Sequence, residues 1–406
     1  MDNSNTSIRR LMNQESIREG ELDALGASPS EKDELLAYNE NMFDHSGLGT
    51  VFELPLPDEP FVSAWEGYQE AAEKNGACET LKGRLVQLSF PIEKGISQTD
   101  PYRSATRKGI EPGKIPEATG LILKRPDEFR FHLHETPAGP IPILITAHRD
   151  DFVAILRALT MRNEPEDVPE ATGAMIVSGY NNWDRIRTLR KSWEADHPDD
   201  FGGIGWAAEF QDIISQKELY QDKFIILSNG PYSMVAAREM GLSEPEWKAA
   251  SLTIRREHEC THYVTRHVLH SMQNRFLDEL IADYMGIVAA AGCFKADWFL
   301  RFMGLENFPY YRQGGRLENY RGDPPLSNGA FRILRILAQR AAVTLERFDV
   351  KYRPRLSKPH WKSLALFTLT RLTIEEMASE QGMRLLSEAM AWGKELTGQG
   401  KIPVTS

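Results

Sequence analysis

The 406-residue sequence has three cysteines, Cys78, Cys260 and Cys293, too few and too scattered for a disulfide framework. No apolar run approaches the roughly 18–20 residues that cross a bilayer. The first residues, MDNSNTSIRR, lack the basic-then-apolar order of a secretory signal. Positive charge is in deficit: 48 Lys and Arg face 58 Asp and Glu, a formal net charge of -10. That balance argues against a protein that lives on nucleic acid or anionic lipid. Internal repeats and low-complexity tracts are missing as well. A hydrophobic content of 41 % with 9 % aromatics argues against a largely disordered chain. The expectation is a cytoplasmic globular protein with no nucleic-acid or membrane partner.

Three regions follow one another along the chain. Residues 1–83 read as a polar, helical N-terminal arm, with one helix in SPSEKDELLAYNENMF capped by Ser30 with Asp33 three residues on, and a second ending at Gly76. Residues 84–240 read as a mixed α/β region. Its expected strands are LVQLSF, GLILKR, FRFHLHE, IPILITA, GAMIVSG and DKFIILSNG, interleaved with the helices DDFVAILRALTMRN and DRIRTLRKSWEAD. FRFHLHE alternates, with Phe129, Phe131 and Leu133 on one face and Arg130, His132 and His134 on the other, and TPAGP then predicts a hairpin to IPILITA. Residues 241–406 read as helical. Ser243 and Glu246 stand at capping-box spacing before a long helix, FLDELIADYMGIVAAAG stops at Gly292, and Leu305–Ser327 is an irregular loop holding six Gly or Pro. The class is α+β, with residues 84–406 expected as one unit.

The chemistry sits in His258-Glu259-Cys260-Thr261-His262, an HExxH sequence within that long helix. At 3.6 residues per turn the two histidines share a face, where they can take two corners of a tetrahedral zinc ion. Glu259, between them, is placed to take a proton from water on the ion. Glu279 follows His262 by seventeen residues, and Asp283 lies four further on, on the same face of the next helix. Glu279 can supply a third ligand. Asp283 can accept a hydrogen bond from the far nitrogen of a ligating histidine. Asp278 is the alternative third ligand, but its face does not coincide with that of Asp283. Glu279 comes level with His262 only if the chain reverses near His270 and Ser271, which predicts a helix end and turn in VLHSMQN.

HECTH followed by an ExxxD helix resembles the gluzincins, the zinc metallopeptidases with two His and one Glu as ligands. The resemblance covers about residues 223–292. It implies a zincin-like domain in which His258, His262 and Glu279 hold Zn2+, Glu259 is the general base and Asp283 supports a ligand. It further implies that the strand before the metal helix, here DKFIILSNGPYS, is the edge strand along which an extended peptide binds. The expected activity is hydrolysis of a peptide or protein amide bond.

Such chemistry also needs a donor for the oxyanion. The loop PYYRQGGRLENYRGDPP offers Tyr310, Tyr311, Arg316, Tyr320 and Arg321, of which Tyr320 is the expected donor; the same residues can instead knit the loop to the core. His132 and His134 read as half-buried sheet residues, and YNNWDR as a recognition loop or a capped helix entrance. Three rivals remain: an iron- and oxygen-dependent enzyme built on the same two-His-one-carboxylate set, a zincin-like binding protein without turnover, and a chance motif in a structural protein that holds no metal.

Overall fold

The computed structural model describes residues 14–48, 54–199, 204–271, 273, 275–355 and 358–396. Residues 1–13 and 49–53 of the expected N-terminal arm lie outside these, as do Met272 and Asn274 of the expected turn. The fold is α+β, and the chain groups into two compact units: residues 55–230, and residues 1–54 together with 231–406. Residues 1–83, read as one arm, are therefore shared between the two, and 84–406 divides at Gly230 and Pro231.

The first unit is built on a four-stranded mixed sheet. β1 (Arg130–His134) pairs antiparallel with β2 (Ile141–Thr146), as the hairpin signal requires. β3 (Ala174–Asn181) pairs antiparallel with β4 (Gln221–Ser228), and β2 runs parallel to β4, giving the order β1-β2-β4-β3. The expectation that DKFIILS is an edge strand is thus overturned. The unbroken apolar run Phe224–Leu227 is fully buried because it has a partner on both sides. The alternating β1, with two half-buried histidines, is an edge.

LVQLSF and GLILKR, expected as strands, are a 3₁₀ turn at Val86–Ser89 and an irregular stretch. Their leucines are buried all the same; β propensity was answered by burial without a strand partner. Helices α1 (Val62–Asn75) and α2 (Arg149–Thr160) cover the sheet, with Trp65, Phe131, Phe152 and Phe224 in its core. Asn182 caps α3 (Trp183–Asp196) through the Asp184 and Arg185 amides, so YNNWDR is a helix entrance.

The second unit is helical. Its N-terminal helix Pro29–Tyr38 is capped by Ser28 with Glu31, not by Ser30 with Asp33; Pro29 takes the first helical position, which fixes the cap at Ser28, two residues before the expected one. Then come α4 (Glu244–Val268), α5 (Phe276–Ala291), α6 (Ala296–Met303), α7 (Asn328–Tyr352), α8 (Lys358–Leu369) and α9 (Gly382–Leu396). Leu334, Leu337, Ala341, Phe348 and Leu364 form part of its fully buried interior. No helix among the described residues is long and apolar enough to cross a membrane.

Candidate metal centre

α4 starts as its sequence demands: the Ser243 amide donates to the Glu246 carboxylate at 2.9 Å, and Pro245 occupies the first turn. It ends at Val268. His270 follows at a φ of 52°, and α5 begins at Phe276, so the chain reverses where the spacing of His262 and Glu279 required. The two helices pack side by side with Gly286 against Ile254. A Cβ at 286 would lie 2.7 Å from the Ile254 carbonyl oxygen, so glycine permits the approach that brings the ligand faces together.

His258, His262 and Glu279 converge, each 5–6 % exposed. The Nε2 atoms of the histidines are 3.0 Å apart, Glu279 Oε2 is 3.4 Å from His258 Nε2, and Glu279 Oε1 is 3.5 Å from His262 Nε2. Donors about 2.0–2.1 Å from a tetrahedral ion stand about 3.3 Å from one another, so this triangle matches one face of a zinc coordination shell. Electrostatics point the same way. Burial alone would lower His258, but Asp283 and Glu279 raise it to about 10. Burial pushes Glu279 up, yet His258 and His262 hold it well below the usual carboxylate range. The three residues, placed with their ligand atoms within 4.8 Å of one another, could hold a metal ion.

Around the triad, Asp283 is fully buried and its Oδ1 lies 2.8 Å from His258 Nδ1. A proton on Nδ1 leaves Nε2 free as a ligand. Asp283 also accepts from the Tyr232 hydroxyl at 2.6 Å and from the Arg316 guanidinium. The Tyr320 hydroxyl donates to Glu279 Oε2 at 2.7 Å, and burial holds this phenol well above its ordinary pKa. Tyr320 therefore belongs to the site, placed on a ligand. Asp278 does not join the triad. Burial raises its carboxyl, and its Oδ1 has no hydrogen-bond partner among the described residues. Glu259 is half-buried and hydrogen-bonds to no described residue. Cys260, on another face of α4, is buried.

Two contributors were invisible in the sequence. Tyr38, from the N-terminal helix, accepts from the Phe276 amide at the start of α5 and donates to the Tyr320 carbonyl oxygen, tying the ligand helix to the irregular loop. Tyr232 reaches His258 from a turn 26 residues upstream. Neither carries a local signal.

Residues 20–381 match a family described as a family of unknown function, DUF7005. No curated protein and no solved structure matches the chain.

Proposed function

The chain belongs to the DUF7005 family, and we propose that it is a zinc-dependent hydrolase of a peptide or protein amide bond. The observation that carries this reading is the triangle of His258 Nε2 and His262 Nε2, on the helix that also carries Glu259, with the Glu279 carboxylate from the next helix. When bound, the ion supplies Lewis-acid polarisation of a carbonyl and makes water acidic enough to attack it.

The chain's own residues do the rest. His258, with its Nδ1 proton directed to Asp283, and His262 and Glu279 bind and orient. The Glu259 carboxylate, free of other hydrogen bonds among the described residues, takes a proton from the attacking water and delivers it to the departing amine. Tyr320, protonated at neutral pH, is the phenol that would donate to the oxyanion in place of Glu279.

A second reading, a protein that holds the metal without turnover, is favoured by one observation. All three ligands are more than nine-tenths buried, whereas catalytic sites keep an open position. One experiment separates the two. Wild-type protein purified without a histidine tag should carry about one zinc per chain by elemental analysis, lost in His258→Ala and Glu279→Ala. Glu259→Gln should keep the zinc and lower peptide cleavage by about 10²–10⁴-fold. Zinc retained with no cleavage by wild type across a peptide library would favour the holding role. Iron in place of zinc would move the search to oxygen chemistry, and no metal at all would sink both.

A further inference from the structure

The turn that enters the helical unit, Pro231–Met234, contains two consecutive non-glycine residues in the left-handed region, Ser233 at φ 50° and Met234 at φ 57°. Residues with a Cβ resist that conformation, and it persists where surrounding contacts over-determine it. Those contacts are present. The Tyr232 amide donates to Ser251 Oγ at 3.0 Å, Arg316 Nη1 donates to Ser233 Oγ at 2.9 Å, and Arg255 Nη2 donates to the Pro231 carbonyl at 3.1 Å. What the turn achieves is the placement of one ring. Tyr232 lies with the guanidinium of Arg316 at 5.1 Å and that of Arg255 at 5.6 Å from its centroid. Its hydroxyl is 2.6 Å from Asp283 Oδ1 and 2.9 Å from His258 Nδ1.

We propose that Tyr232 and Arg316 are positioning residues of the metal centre, gripping Asp283 by both carboxylate oxygens and through it fixing the tautomer and ring angle of His258. The inference rests on the reading of the triad as a metal centre. Its logic is a count of protons. The single hydroxyl proton of Tyr232 goes to Asp283 Oδ1, so the Tyr232 oxygen turns a lone pair to His258 Nδ1. His258 Nδ1 therefore faces two acceptors, Asp283 Oδ1 at 2.8 Å and the Tyr232 oxygen at 2.9 Å, and both require a proton there. The competing arrangement, with the phenol donating to a bare Nδ1 and the proton on Nε2, would spoil His258 as a ligand. Arg316 opposes it by holding Asp283 Oδ2 with one arm while the other holds Ser233, the next residue after Tyr232. A lysine has one ammonium and no rigid fork with which to span both.

The test is zinc affinity by competition with a fluorescent chelator, with the visible absorption of the cobalt(II)-loaded protein as a report on ligand geometry. Tyr232→Phe keeps the ring and removes one hydroxyl; Arg316→Lys keeps the charge and removes the fork. Each is expected to weaken zinc binding by about 10–100-fold and to shift the cobalt bands, while the metal-free Tyr232→Phe protein unfolds at nearly the wild-type temperature. Affinities within twofold of wild type and unchanged cobalt spectra in both variants would overturn the proposal. Should Tyr232→Phe not fold, Arg316→Lys decides by the same criteria. A wild type that takes no zinc overturns the metal centre itself, an outcome plainly different from zinc bound equally well by all three proteins.

Discussion

Each unit buries a charged cluster, and the two are completed in opposite ways. In the sheet unit Asp222 is fully buried, and its carboxylate accepts from Arg185 at 2.8 Å, Asn182 at 2.7 Å and Trp65 at 2.9 Å. Arg185 gives further hydrogen bonds to the Gln221 and Glu218 carbonyls. Donors answer acceptors and the network closes on itself. In the helical unit, Asp283 is closed in the same manner, but the triad beside it is not. Two imidazole Nε2 atoms and a carboxylate face one another at 3.0–3.5 Å, sharing the proton that raises His258, with the Tyr320 hydroxyl also donating to Glu279. A closed cluster of buried charge fixes a fold, whereas ligand-type groups held together by a shared proton can exchange that proton for a cation.

The largest expected effect breaks the closed cluster. Asp222→Ala strands the buried Arg185 and should cost about 3–5 kcal/mol, read from urea unfolding at pH 7. Glu279→Ala removes a partner of the His258 proton, but an imidazole can release that proton where a guanidinium cannot, so the metal-free protein should lose less. A larger loss from Glu279→Ala than from Asp222→Ala would invert the comparison.

The next effect closes the open cluster from outside. Free zinc at 100 times its dissociation constant should stabilise the wild type by about 2.7 kcal/mol. The conservative Asp222→Asn variant should gain as much, and Glu279→Ala nothing. Equal stabilisation of Glu279→Ala would place the ion elsewhere. A smaller effect sharpens the role of helix spacing. Gly286→Ala sets a methyl group against the Ile254 carbonyl, which should cost about 1–3 kcal/mol and weaken zinc binding together. Destabilisation with undiminished zinc affinity would separate the helix contact from the site.

What was legible in the sequence was whatever rests on short-range periodicity. The HExxH face, the ExxxD face and the reversal near His270 all follow from 3.6 residues per turn and one loop length, and the structure brings those residues together. Residue type alone could not say whether an apolar run has strand partners. Val86–Ser89 is a 3₁₀ turn, and Gln221–Ser228, last of the four strands in sequence, lies inside the sheet instead of at its edge. Its unbroken apolar run was the available signal for an interior strand. Tyr38, Tyr232 and the partner of Arg316 were illegible for a different reason: each acts across the fold through one hydroxyl or one fork, which leaves no pattern in composition or spacing.

Glu375 stands between the two kinds of cluster and gives the smallest and most discriminating effect. It is fully buried, as Asp222 is, but its partners are fewer: Asn39 at 2.8 Å and Arg18 at a long 3.4 Å. Burial raises its carboxyl above the ordinary glutamate value, and Arg18 and Asn39 only partly oppose this. A carboxyl raised on folding favours the folded state fully below its ordinary pKa, and that contribution is lost as pH climbs through the raised value. The urea midpoint of the wild type should therefore fall across that window, and Glu375→Gln, neutral throughout and able to keep the Asn39 contact, should flatten the fall. Burial raises the Asp222 carboxyl as well, against the opposing pull of Asn182, Arg185 and Trp65, so Asp222→Asn should flatten the fall in the same sense while costing stability at every pH, because its amide must offer protons to donors. If Glu375→Gln left the slope unchanged, Arg18 and Asn39 would offset the burial of this carboxyl in full, and a long 3.4 Å ion pair with one amide would suffice to settle a buried charge.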